Sequence, residues 1–227
     1  MSLLDEVLEA HGGLEAWQAV TTVEADLRSG GVALASKLAA GPFRRYRMTV
    51  SAAEPRTVIE PYPRAGTRGV FEGDVVRIES DAGEILAGRV DPRRLFPGGR
   101  RRVWWDRLDA LYFAGYALWN YFTTPLLLTR DEVELREDGR VLRARFREGF
   151  PTHCREQAFH IDERGMIVRH DYTAEVFGGW ARAKHLCSGH RAFDGLVFPT
   201  RRRVTPRGSP GPLLVRIDVD AVRVRRG

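Results

Sequence analysis

Hydrophobic spacing changes along this chain from helical to alternating, back to helical, and to alternating again. Leu3, Leu4, Val7 and Leu8 fall on one helical face, Ser2 is an N-cap, and Asp5 completes a capping box with a shortened acid. Gly12-Gly13 ends that helix, so the pattern predicts a helix over 2–12, followed by a short turn, Leu14 to Val20, that carries Trp17. Then Val23, Ala25 and Leu27 alternate with polar neighbours, and Gly30-Gly31 signals a tight turn before Val32 to Leu38, read as the returning strand. Phe43 to Val50, Thr57 to Pro61, Thr67 to Phe71, Val75 to Ile78 and Ile85 to Val90 extend the strands across 20–90. Asp91 to Arg102, with proline, a Gly-Gly pair and clustered arginines, reads as an exposed loop.

The next segment is helical and aromatic. Trp105, Leu108, Leu111, Tyr112, Gly115, Tyr116, Trp119 and Phe122 keep i, i+3, i+4, i+7 spacing, with Asp106, Arg107 and Asp109 expected outward. Its later turns are apolar on every side, which requires burial all round. A helix over 104–122 is about 27 Å long, enough to plug or lid the mouth of a barrel. Ala110 to Thr129 holds no charged residue, about the length of a membrane span, but Gly115, Asn120, Thr123, Thr124 and Pro125 and its tyrosine and tryptophan content argue against a transmembrane segment.

Alternation returns over 133–225. Glu137-Asp138-Gly139-Arg140 and Asp162-Glu163-Arg164-Gly165 are hairpin signals, and Gly178-Gly179 is a third turn. In Leu213 to Val224 the phase slips at Ala221, as at a β-bulge. Roughly a dozen short strands joined by hairpins imply an antiparallel meander that twists and curls. The expected fold is mainly β (α+β): one domain over 1–227, a curved sheet forming a half-open barrel, with the aromatic helix on or in its concave face.

Composition changes the picture little. The 227 residues carry a net charge of +6 and are 43% hydrophobic, a globular balance. All but two of the basic residues, Lys37 and Lys184, are arginine and spread along the whole chain, which reads as solvated surface and makes a nucleic-acid partner unlikely from the sequence. The N-terminus has no basic start, apolar core or cleavage site of a secretory signal and no lipidation cysteine, so the expected location is cytoplasmic, with Cys154 and Cys187 reduced.

Ala10-His11-Gly12-Gly13-Leu14-Glu15-Ala16-Trp17, leading into a strand from Val20 to Leu27, resembles the opening of the LolA/LolB-like lipoprotein-carrier superfamily. Gly195-Leu196-Val197-Phe198-Pro199-Thr200 before a late strand is similar to the same group, as is the order of leading helix, meander, helical insert and further strands. The resemblance implies a half-barrel whose concave face, lidded by helices, holds acyl chains or other lipids. Those carriers are exported or membrane-anchored, so the resemblance carries over the fold and a hydrophobic-ligand tendency, with no catalytic residues and no shuttling role.

Two readings of the aromatic helix stand side by side. Its rings are the core that fills a curved sheet, or Trp105, Leu108, Tyr112, Tyr116, Trp119 and Phe122 line a site for an apolar small molecule or lipid, which at drug size calls for about 300 Å³. The alternative is an enzyme in the same cavity. Alternation sends His170 and Tyr172 to one face and Asp171 to the other, making His170, Tyr172 and His185 the proton-transfer candidates. His185, Cys187 and His190 are possible zinc ligands, but the spacing matches no standard module, and the expectation is no metal. No nucleophile elbow, phosphate loop or dinucleotide fingerprint occurs, so no cofactor is expected.

Overall fold

Alternating sequence becomes strand when one face of a sheet is dry and the other wet. In the computed structural model, which describes residues 1–208 and 210–227, thirteen strands among those residues form one antiparallel sheet. The first meander comprises β1 (Val20–Gly30), β2 (Tyr46–Ser51), β3 (Arg56–Glu60), β4 (Thr67–Glu72), β5 (Val75–Ser80) and β6 (Ile85–Val90). The second comprises β7 (Val133–Asp138), β8 (Val141–Phe146), β9 (Glu156–Ile161), β10 (Ile167–Thr173), β11 (Arg182–Phe193), β12 (Leu196–Pro206) and β13 (Val215–Arg226). The order across the sheet is β6-β5-β4-β3-β2-β1-β13-β12-β11-β10-β9-β8-β7, so the meanders join where the first strand pairs with the last. The sheet is curved and open, with β6 and β7 as free edges: the half-open barrel that the pattern predicts.

The phase slip in β13 is a bulge. Asp26 faces Ala221 and Leu27 faces Val219, leaving Asp220 unpaired in the ladder. Its carboxylate accepts from the Arg28 guanidinium at 2.7 Å instead.

Residues 91–132 carry the chain from one free edge to the other and include α4 (Arg107–Thr123), which lies in the concave face. Asp106 caps it: its Oδ1 accepts from the Asp109 amide at 2.8 Å, while the Asp106 amide donates to Asp109 Oδ2 at 3.1 Å. Every residue from Asp109 to Thr123 is buried, as a helix apolar on all sides requires. Gly115 seats the helix on β4, where a Cβ would stand 2.3 Å from Phe71 Cβ. Among the described residues no helix is long and apolar enough to cross a membrane.

Before β1 come α1 (Leu3–Ala10) and α2 (Leu14–Gln18), and the turn between them meets the start of β12. The capping box on Ser2 is present, with Leu3, Val7 and Leu8 turned inward. The Trp17 indole donates to His11 O at 3.1 Å, the Val197 amide donates to the same oxygen at 3.1 Å, and Trp17 packs edge-on against Phe198 at 5.4 Å. The two sequence segments that carry the family resemblance therefore pack on each other.

Three expectations change. Val32 to Leu38 is not a strand: α3 (Val32–Ser36) forms there, because Gly31 at φ +112° turns the chain and an Ala-rich run prefers helix. Its first amides donate to Leu213 O at 3.1 Å and Leu214 O at 2.9 Å. The strand expected from Phe43 begins only at Tyr46, since Gly41–Phe43, with Pro42 at its centre, is a 3-10 turn. Asp109 does not point outward. It is fully buried, because Arg89, Arg100 and Arg101 close over it at 2.5, 2.8 and 2.7 Å, drawing the expected exposed loop onto the helix start.

Candidate functional site

Strand parity decides which side chains enter the concave face. On β10 His170 and Tyr172 turn in, while Asp171 turns to the outer face and accepts from Arg169 and His160 at 2.6 and 3.2 Å. On β11 His185 and Cys187 turn in, and on β12 Arg202 does. The irregular chain between β8 and β9 contributes Thr152 and His153, and α4 contributes Tyr116, Asn120 and Tyr121.

Apart from His185, which touches Tyr121 only through its ring, the inward-facing groups are linked by hydrogen bonds. His153 sits between two tyrosines, with Nδ1 3.2 Å from the Tyr116 hydroxyl and Nε2 2.7 Å from that of Tyr121. A neutral imidazole has one N–H, so it donates to one tyrosine and accepts from the other. Tyr121 also bonds the Tyr172 hydroxyl at 3.0 Å, and the Tyr172 ring stacks on His153 at 3.9 Å. His170 Nε2 lies 2.5 Å from Gln157 Oε1, and its ring stacks on Phe159 at 4.2 Å. Gln157 Nε2 donates to Thr152 Oγ1 at 2.6 Å, Thr152 donates to Asn120 Oδ1 at 2.6 Å, and Asn120 donates to Tyr116 O at 2.8 Å.

Burial removes charge from almost all of this. It pulls His170 down to about 3 and His11, at the rim, to about 4, with His153 and His185 held well below the usual imidazole range. It pushes the Tyr116, Tyr121 and Tyr172 phenols and the Cys187 thiol up. At neutral pH the histidines are uncharged, and the cluster can relay a proton only between neutral partners. The full charge in it belongs to Arg202, which donates to Tyr121 O at 2.9 Å and to Cys187 Sγ at 3.4 Å.

Several spaces adjoin the cluster. A cavity of about 20 Å³ lies among His11, Tyr121, Phe159, His170, Cys187 and Arg202. A seam of about 40 Å³ runs between Ala114, Ala117, Leu118 and Tyr121 of α4 and Tyr46 and Ile217 of the sheet. An open cleft of about 520 Å³ lies between the β4–β5 turn and the β8–β9 loop, lined by Arg93, Tyr112, Phe150, Thr152 and Glu175 among others. The interior thus differs from the expected 300 Å³ container, because the α4 side chains themselves fill the concave face.

The structure places the expected residues as follows. Tyr112 lines the cleft. Trp105 packs among Phe96, Phe113 and Phe177; Trp119 donates to Ser51 O at 3.0 Å and rests on Phe150; Phe122 meets Phe198; Leu108 is half-buried at the helix start. With Tyr116 bound to His153, those five line neither internal space. His170 lines the small cavity, Tyr172 lines the seam, and His185 lies edge-on to Tyr121 at 4.7 Å. His190 sits apart, its Nε2 3.0 Å from Ile167 O, and among the described residues no three His, Cys, Asp or Glu side chains converge as a metal site would. Cys154 and Cys187 are both free and buried. His153 carries no signal in the sequence, since it lies outside any periodic element, and Arg202 is there only one of the many arginines spread along the chain.

No protein-family model matches the sequence, and no curated protein matches it. Solved structures do resemble it. A DUF1329 family protein from Desulfovibrio piger superposes with a TM-score of 0.52 at 14% identity, covering 98% of this chain and 91% of that one. A LolA superfamily protein from Nitrosomonas europaea superposes with a TM-score of 0.51 at 12% identity, covering 100% of this chain and 96% of that one. The likeness is one of fold, and it spans nearly the whole of each molecule.

Proposed function

We propose that the protein holds an apolar small molecule or lipid chain in the seam between α4 and the middle strands of the sheet. The observation that supports this is where the helix leaves room. Its Gly115 side is pressed onto β4, while its small side, Ala114 and Ala117, faces Tyr46 and Ile217 across about 40 Å³. Interiors are packed like organic crystals, and alanines opposite a curved sheet leave a gap that larger residues would fill. The resemblance to carriers whose half-barrels hold acyl chains points the same way.

The seam is smaller than a drug-sized site, so binding goes with opening. The part placed to move is α3, whose Leu34 lines the seam and whose ties to the chain before β13 include the amide bonds at Leu213 and Leu214. Binding of the fluorescent apolar probe N-phenylnaphthylamine, with solvent extraction of the purified protein, tests the reading. We expect probe binding to the wild type and an affinity about tenfold weaker in Ala117→Phe, equivalent to ~1.4 kcal/mol, with the circular dichroism spectrum unchanged. A wild-type protein that binds no probe and yields no organic guest would overturn it.

A further inference from the structure

The buried carboxylates are compensated by arginine: Asp109 has three, and Glu79 has Arg68 at 2.7 Å and Arg77 at 2.5 Å. The buried Arg202 has no such counter-charge. It is 6% exposed, and among the described residues no carboxylate lies within 4.0 Å of its guanidinium. Its partners are one carbonyl, one thiol and the face of the Tyr121 ring at 5.0 Å, and its buried Nε has no partner. Nearby His185 has neither ring nitrogen bonded, although one of them carries a proton. An enclosed guanidinium with an idle donor is costly unless an anion meets it.

We infer that Arg202 is a binding site for a monoanion, the carboxylate head of the molecule held in the seam. This rests on the apolar site proposed above. Tyr121 lines both the seam and the small cavity against Arg202, so the two spaces are neighbours across one side chain. The cavity of about 20 Å³ has room for roughly one water-sized group, and a carboxylate takes that place as Tyr121 yields with the opening of the seam. Guanidinium is suited to this because its planar N–H groups match the two oxygens of a carboxylate. Burial keeps His11, His170 and His185 uncharged, so Arg202 is the group there that discriminates by charge. The ligand class is an apolar chain ending in one acid group.

Calorimetric titration of decanoate, decanol and acetate into the full chain, wild type and Arg202→Gln, tests this. Decanoate is expected to bind the wild type at least about tenfold more tightly than decanol. That advantage should vanish in Arg202→Gln, with decanol affinity unchanged, and persist in part in Arg202→Lys. Should Arg202→Gln fail to fold, the acid-to-alcohol ratio on the wild type decides alone. Equal binding of acid and alcohol, or a preference that survives Arg202→Gln, overturns the anion site while leaving the apolar seam standing. Acetate bound in an Arg202-dependent way, with neither chain compound held, keeps the anion site and removes the seam.

Discussion

The two halves of the sheet grip the same helix by different chemistry. The β2–β5 side meets α4 with Met48, Val50, Ile59, Phe71 and Val76, and its notable polar contact is the Thr57 hydroxyl donating to Gly115 O at 2.8 Å. The β9–β12 side meets it with His170, Tyr172, His185 and Arg202, with Gln157 behind His170, every one of them buried. Apolar packing is strong, indifferent to pH and intolerant of added volume. A dry polar network is specific and exposed to any change in protonation or partner number. The architecture thus pairs a passive wall with a chemically responsive one; the small cavity lies within the responsive side, and the seam runs along the middle strands between the two.

The largest way to break this contrast is acid. A buried histidine kept neutral binds its proton less readily folded than unfolded, so its contribution is complete above about 6.5 and is lost as pH falls toward the depressed values. Those values are about 4 for His11 and about 3 for His170, and His153 and His185 are lowered in the same direction. Each such group removes ~1.4 kcal/mol of stability per pH unit within its window, so together they amount to several kcal/mol between about pH 6.5 and 5. Urea midpoints across that range should fall steeply, and hydrogen exchange should open β9–β12 first. On the other half, Glu79 is held low by Arg77 and Arg68 despite its burial, so its share is lost only on further acidification, through the carboxylate range.

Next in size is a test of the passive wall. Gly115→Val places new atoms against Phe71 and should cost about 3 kcal/mol by denaturant unfolding, a difference that stays constant from neutral pH down to about pH 5. Smallest is Tyr121→Phe, which deletes the hydroxyl shared by His153 and Tyr172 and leaves a ring nitrogen unpaired. Its cost should be about 1–2 kcal/mol by denaturant unfolding, and no measurable loss would argue against a shared network.

Particular residues show how much of this was legible beforehand. The inward turn of His170 and Tyr172 and the outward turn of Asp171 follow from alternation, because a strand's side-chain period is two whatever it packs against. The N-cap at Asp106 went unremarked in the sequence, although Asp109 three residues on completes a capping box there. Val32 to Ser36 misled, since a short apolar run has no period long enough to separate strand from helix. Asp109 misled because a helical wheel does not see Arg89 and Arg100 folding over from another part of the chain. His153 had no signal at all, being outside any repeating element.

The sequence by itself determined the strands, the all-round burial of the central helix and the caps and turns between them, because each depends on neighbours within about one helical turn or one hairpin. Only the tertiary structure decided that Tyr121 would bond a histidine 32 positions away and that its carbonyl would receive an arginine 81 positions away. The order of strands across the sheet sets those distances, and no local pattern encodes which inward-facing groups will meet or which charge will be left without a partner.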